Sequence, residues 1–307
     1  RLYIEYLIYQ SQNRAQIYDF FLINEVSANI SYFCRMKKRL LIFCLMISGA
    51  LNLSAQVARV DSLVSVGDSL RKAYRFEESL EAYGQAKDCL NDTLIMQSDS
   101  LYNIKVSDRI LLSENGRSMT RFVYSPNVVA KHKFSLEDFF LYYPLPDKSW
   151  RRTPNQLDTL GGRFSQAVYY PEGASQIYYS SADTTSVRSI RVTRDLDTLW
   201  TTPALLGGAS FSVSNEIYPM LSPDGKSLYF SSDGLYGVGG YDIYVSRWDE
   251  SKGEWGTPMN VGFPYSSPAD DFLYVTSEDG RYNVFASNRG CSADSVWVYV
   301  LKHQDVP

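Results

Sequence analysis

Four aspartates are the residues whose type best suits bond chemistry. Asp270 and Asp271 are adjacent, and Asp224 and Asp279 each precede a glycine. Two carboxylates, one acting as acid and one as base or nucleophile, are what glycoside hydrolysis needs. A Ser–His–Asp relay would have to use His132 or His303, the two histidines of the 307-residue chain. No Gly-x-Ser-x-Gly elbow accompanies them. The two histidines and four cysteines lack the spacing of zinc ligands. The stretch Gly237-Val238-Gly239-Gly240 is not a phosphate cradle, because neither a lysine nor a helix follows it. It also departs from the calcium-binding Gly-Gly-x-Gly-x-Asp repeat, although Asp233 and Asp242 flank it as the pair that would hold a calcium ion. The simpler expectation for Asp242 is that its carboxylate accepts backbone N–H groups of its own loop.

A repeat decides how these aspartates are read. Trp, Pro and an apolar residue recur about every fifty residues, at Trp150 and Pro154, Trp200 and Pro203, and Trp255 and Pro258. In step with them, Ser222-Pro223-Asp224-Gly225 leads into Leu228-Tyr229-Phe230-Ser231-Ser232, and Ser277-Glu278-Asp279-Gly280 leads into Val284-Phe285-Ala286-Ser287-Asn288. Tyr170-Pro171-Glu172-Gly173 before Ile177 is a looser copy. Asp and Gly at such a junction are turn residues, since Asp tolerates and Gly prefers a positive φ. Catalytic groups break a repeat more often than they follow it, so Asp224, Gly225, Asp279 and Gly280 read as turn geometry. Gly240 and Asp242 read as a tight strand connection, and the three tryptophans as packing between repeats. No catalytic residue, cofactor or metal site is expected.

The elements around these motifs are short apolar and aromatic runs between turn clusters, the all-β pattern. Four strands per unit predict a propeller blade. Blade one is expected at 118–156, with Phe139-Phe140-Leu141-Tyr142 as its third strand and Trp150 in its fourth. Blades two and three are expected at 164–207 and 214–262. Blade four opens at Asp271 and ends after three strands, which predicts an incomplete chain or a fourth strand drawn from elsewhere. The fold class is therefore mainly β: four-stranded propeller blades behind a short helical segment.

That segment is 56–116, with the propeller over 117–307. Val60, Leu63, Val66 and Leu70 fall at helical spacing, as do Phe76, Leu80, Tyr83 and Ala86, and then Ile95, Leu101, Ile104 and Ile110. Asn115-Gly116 is a stop signal. Leu63, Gly67, Leu70, Phe76, Tyr83 and Ala86 match the spacing of a tetratricopeptide helix pair, with Gly67 allowing close approach. Ser79 stands where that pattern has Ala, and Tyr74 where it has a turn Gly.

Before the helices, Met36-Lys37-Lys38-Arg39, an apolar stretch from Leu40 and then Leu53-Ser54-Ala55 have the order of a secretory signal peptide over 36–55. Met36 is then the expected start, 1–35 upstream translation, and Gln56 the first mature residue. Residues 1–55 hold 6 of the 30 Lys/Arg and 3 of the 34 Asp/Glu, leaving 24 against 31, or −7. An acidic exported chain with no membrane span suits neither nucleic acid nor anionic lipid. Cys89 and Cys291 remain, and are expected as separate thiols.

The run from Ser222 to Tyr244, ending Gly239-Gly240-Tyr241-Asp242-Ile243-Tyr244, resembles the TolB-like, WD40-like β-propeller repeat in the form found in envelope proteins of Bacteroidota. Export, a tetratricopeptide-like lead and then this propeller resemble the opening of OmpA-family, PorE-type proteins, without their OmpA-like module. Sialidase-type propellers are not matched, because Asp224 and Gly225 are adjacent. The resemblance implies a periplasmic or outer-membrane-associated adaptor that binds other envelope proteins, with peptidoglycan or glycan engaged only indirectly. The alternatives are an accessory propeller of a peptidase and a glycan- or peptide-binding module.

Overall fold

The computed structural model describes residues 55–91, 100–120, 126–142, 150–158, 167–170, 175–196, 199–208, 210–277, 279–292 and 294–302. The expected signal segment 36–54, Ile95, His303 and the turn 171–173 therefore lie outside the described residues. Almost all the description belongs to one compact unit, Arg59–Pro307. No helix among the described residues is long and apolar enough to cross a membrane.

Three helices come first: α1, described over 55–72, α2 at Phe76–Asn91 and α3 at Ser100–Met119. The buried face of α1 is Val60, Val64, Gly67 and Arg71, while Val66 is half exposed. Gly67 lies under the Tyr83 ring, where a Cβ would come within 2.4 Å. The Tyr83 hydroxyl donates to Asp68 at 2.7 Å, and Arg109 Nε donates to the same oxygen at 2.8 Å. One carboxylate thus joins all three helices. Burial pushes the pKa of Asp68 up, but the hydrogen bonds from Arg109 and Tyr83 outweigh it and hold the group below its usual value.

Two expectations for the helices are corrected. Gly116 does not stop α3, which runs on to Met119. It is a packing glycine, because a Cβ there would lie 2.3 Å from the Phe76 ring. Leu101 and Ile104 do not form the inner face of α3; both are exposed, and Val106, Ser113, Asn115 and Gly116 are buried instead. Small residues allow close helix contact, and the polar ones among them are satisfied. Ser79 Oγ, in the place of the expected Ala, sits 2.9 Å from Ser113 Oγ and donates to the Phe76 carbonyl at 2.8 Å.

The rest of the unit is mainly β, in antiparallel sheets of repeat size. One contains β3 (Ala167–Tyr169), β4 (Gln176–Ala182), β5 (Arg188–Arg194) and β6 (Ala204–Leu205) in order, with β2 (Trp150–Arg152) outside β3. The next contains β7 (Glu216–Leu221), β8 (Ser227–Ser232) and β9 (Asp242–Asp249), followed by β10 (Glu254–Trp255) and β11 (Met259–Asn260), both pairing with β9. The last runs β12 (Asp271–Thr276), β13 (Tyr282–Ser287), β14 (Ser295–Lys302), then β1 (Asn127–Ser135). The place left open beside β14 is taken by β1, in antiparallel register from Asn127↔Lys302 to Ser135↔Ser295.

The described residues thus form three sheets rather than four, and 118–156 is not a blade. Its first strand leaves for the last sheet. Phe139–Tyr142 is a helical turn, α4, because Phe139 and Phe140 are both buried and both rings approach Tyr218, at 5.7 and 6.4 Å. Neighbouring residues of a strand point to opposite faces and could not do this. Trp150 belongs to the sheet that follows it, paired with Tyr169 at a ring distance of 5.4 Å.

The main core contains Tyr218, Phe230, Phe272, Val296 and Val298 together with Phe139, Phe140 and Trp150. A second cluster, Ile243, Tyr265, Tyr274, Phe285 and Leu301, packs the β7–β11 sheet against the last one. The first strands of these two sheets share a detail. Tyr218 and Leu273 both have φ 50, at matching β-bulges.

Candidate functional site

The motif aspartates are used in turns. Gly225 and Gly280 each have φ 69, and each donates its N–H at 2.8 Å to the serine three residues back. Asp224 Oδ1 accepts from Ser222 Oγ and from Lys226 N–H. Asp279 repeats the pattern, accepting from Ser277 Oγ at 2.6 Å and Arg281 N–H at 3.1 Å. Hydrogen bonds from these serines hold both carboxyls below their usual range. Pro223 is exposed at the same turn.

The repeated tryptophans are placed differently from one another. Trp150 is buried in the main core, Trp200 packs at the edge of Leu157, Val168, Ile177 and Tyr179, and Trp255 packs on Trp248 at 5.3 Å. Gly207, in the turn just after β6, approaches Trp255 closely, so this ring lies beside the end of the preceding sheet. Pro154 accepts the Leu157 N–H at 2.9 Å, and Pro203 and Pro258 are half-buried before short strands.

The Gly-rich loop is the seat of the helices. Asp242 Oδ2 accepts the N–H groups of Val238 at 2.7 Å and Gly239 at 3.0 Å, while Oδ1 is buried without a partner. The carbonyls of the same loop face the helices. Arg71 donates to Val238 O at 2.7 Å, and Asn115 Nδ2 donates to Gly237 O at 2.9 Å. Glycine is required here for closeness: a Cβ on Gly237 would strike Asp242, one on Gly239 the carbonyls of Ser267 and Ala269, and one on Gly240 the Asp270 carboxylate. Tyr74 turns the chain between α1 and α2 at φ 61 and lays its ring 5.7 Å from Phe263.

Beside this seat is a cavity of about 400 Å³ whose lining includes Lys72, Tyr74, Asp270, Asn288, Arg289 and Cys291. Asp270 and Asn288 form a reciprocal clip. Asp270 N–H donates to Asn288 Oδ1 at 2.9 Å, Asn288 Nδ2 returns to Asp270 Oδ2 at 2.7 Å, and Asp270 Oδ1 takes Tyr241 N–H at 3.1 Å. Asp271 points away into the core. It pairs with Arg289 at 2.5 Å and accepts Ser267 Oγ at 2.7 Å. Arg289 also donates to Pro264 O and lies over the rings of Phe285 and Tyr299. Burial raises the pKa of Asp271 despite Arg289. Burial, then the charge of Asp271, pushes Asp242 up to about 7.

The structure therefore does not bring the four aspartates together as an open acid–base pair. Two are in exposed turns, one is clipped to Asn288 and one is ion-paired inside. Nor does it join Asp233 and Asp242 as calcium ligands, since Asp233 receives Asn215 through both oxygens. No group of three or more metal-type side chains occurs among the described residues. His132 is exposed on β1, and Cys89 and Cys291 are separate, half-buried residues.

Sequence reasoning missed Arg71, Asn115, Glu216 and Arg289. Glu216 is fully buried, accepts Ser212 N–H at 2.6 Å and, through its carbonyl, Ser180 Oγ. It opens its sheet as Asp271 opens the next, and Asp271 donates its N–H to Tyr241 O of the sheet before. A signal was present: each acid lies six residues ahead of its turn serine, Ser222 or Ser277. Comparison with protein-family models and with curated proteins finds no match for the chain.

Proposed function

We propose that this chain is an exported, non-enzymatic adaptor of the bacterial envelope, built from TolB-like propeller blades and led by a tetratricopeptide-like helical segment. The observation that carries the reading is the seat on loop 237–239. Arg71 and Asn115 come from two different helices and bond adjacent carbonyls of one blade loop. Buried polar contacts of this kind fix relative position more than they add stability. The helices and blades then form one rigid support with two separate surfaces, which suits holding partners in place. The acids that a hydrolase would need are occupied in turns, clips and a core ion pair.

Expression with a carboxy-terminal tag in a member of the Bacteroidota tests this reading. Expected are a mature amino terminus at Gln56, recovery in the envelope fraction, and specific cross-linked protein partners. Turnover of a glycoside, peptide or ester that a single change at Asp270 or His132 abolishes would overturn it.

The cavity favours a second reading, a glycan- or peptide-binding module. It joins Lys72 and Asp270 on a wall that also contains Tyr74 and Asn288. Calorimetric titration with muropeptides separates the two, since heat lost on Asn288→Ala belongs to the binding module alone.

A further inference from the structure

The strongest unassigned feature is the outer edge of β1. Among the described residues β1 ends its sheet, with β14 on one side and no strand on the other. It is nine residues long and well exposed, Val128 at 58% and Val129 at 51%. An edge of this length offers a row of free N–H and C=O groups to any extended chain.

The register shows which groups are free. Leu136 N–H donates to Asp294 O at 3.0 Å, while Ser135 stands opposite Ser295. In an antiparallel ladder that makes Ser135↔Ser295 a non-hydrogen-bonded pair, and by alternation Lys133↔Trp297 and Lys131↔Tyr299 as well. The N–H and C=O of Lys131, Lys133 and Ser135 therefore point outward. Lys131 Nζ lies 4.0 Å from the centre of the Trp297 ring and 5.1 Å from that of Tyr299, both on β14, so its charge rests over the inner strand on the sheet face that Lys133, which is exposed, also carries. Neither Lys131 nor Lys133 has an acidic partner among the described residues.

We propose that this edge binds an extended acidic segment of a partner protein as an added strand, with Asp or Glu opposite Lys131 and Lys133. A second copy of the chain fits poorly in the registers centred on the lysines. Antiparallel self-pairing centred on Lys133 sets it against itself, and centring between Lys131 and Lys133 sets the two against each other. Like charges directly opposite are destabilising. The lysines that block self-pairing thus select the opposite charge. Glu137 and Asp138 just beyond β1 confine the attraction to the 131–133 stretch. The proposal deepens the adaptor reading and rests on it for the partner being a protein.

The test uses the chain from Gln56 and a peptide of about nine residues alternating glutamate and valine, with a lysine-for-glutamate peptide as comparison. Hydrogen exchange is read at the amides of Lys131, Lys133 and Ser135. The glutamate peptide is expected to slow exchange at these three amides, and the lysine peptide is not. Lys131→Glu with Lys133→Glu should weaken glutamate-peptide binding by roughly tenfold and favour the lysine peptide. Lys133→Pro removes an outward donor that the β1–β14 ladder does not use, and should abolish binding of both. Thermal melting checks that each variant is folded. No protection, binding indifferent to both variants, or self-association through β1 would each overturn the proposal. Cross-linked partners retained by Lys133→Pro would overturn the edge yet leave the adaptor reading standing; enzymatic turnover would do the reverse.

Discussion

Replacing Asp242 by Asn should change how stability depends on pH. In the folded chain burial, then the nearby Asp271 charge, pushes the pKa of Asp242 up to about 7. In the unfolded chain it titrates near the ordinary carboxylate value of about 3.9. Between these values the folded state holds one more proton than the unfolded state. Stability therefore falls as pH rises, by about 1.4 kcal/mol per unit. The contribution is fully present below about pH 4 and lost by about pH 7, a span of about 4 kcal/mol. Asparagine keeps an acceptor for the N–H groups of Val238 and Gly239 but cannot ionise. The variant should match the parent near pH 4 and exceed it near pH 8, by up to about 4 kcal/mol or roughly 10 °C in Tm. Asp271 and Glu216 are also raised by burial, so some slope survives in both proteins. The quantity to read is the difference between two series of urea or thermal unfolding curves from pH 4 to 8. A difference that stays flat across that range would refute the reasoning.

Three further changes test the packing. Gly116→Ala should destabilise by about 1–3 kcal/mol because its Cβ would meet the Phe76 ring, whereas Gly84→Ala, with open space around it, should stabilise by about 0.5–1 kcal/mol in the same melts. Asn115→Ala leaves the buried Gly237 carbonyl without its donor and should cost about 1–3 kcal/mol; a double-mutant cycle with Arg71→Ala should show coupling through the shared loop. Arg289→Met strands the Asp271 carboxylate in the core and should cost about 3–5 kcal/mol at pH 8 in chemical denaturation, with a smaller loss as the pH is lowered, because burial raises the proton affinity of Asp271.

The strands from Ala167 onward were legible because their signals are local. Ser-x-Asp-Gly specifies its own turn through hydrogen bonds that span only five residues. Alternation then assigns each strand its faces. Gly67 and Tyr83 were also legible as a helix-pair contact, since helical spacing sets each on an inner face within one short stretch. The failures are at places where the partner is distant in sequence. Phe139-Phe140-Leu141-Tyr142 has the composition of a strand, and only the Tyr218 ring draws two neighbouring phenylalanines to one side. Asn115-Gly116 looks like a stop until Phe76 and the Gly237 carbonyl are in place.

The sequence alone determined the mainly β character, the helical lead and the turn role of Asp224 and Asp279, because periodicity and turn chemistry act over a few residues. Tertiary structure alone decided that β1 joins β14 across the length of the β region. It also decided that Asp242 is buried with the Asp271 charge close enough to raise its proton affinity, and that Arg71 and Asn115 meet on one loop. Burial and charge proximity depend on which surfaces close over a residue, and those come from neighbouring strands and loops for Asp242 and Asp271 and from segments more than a hundred residues away for β1, Arg71 and Asn115.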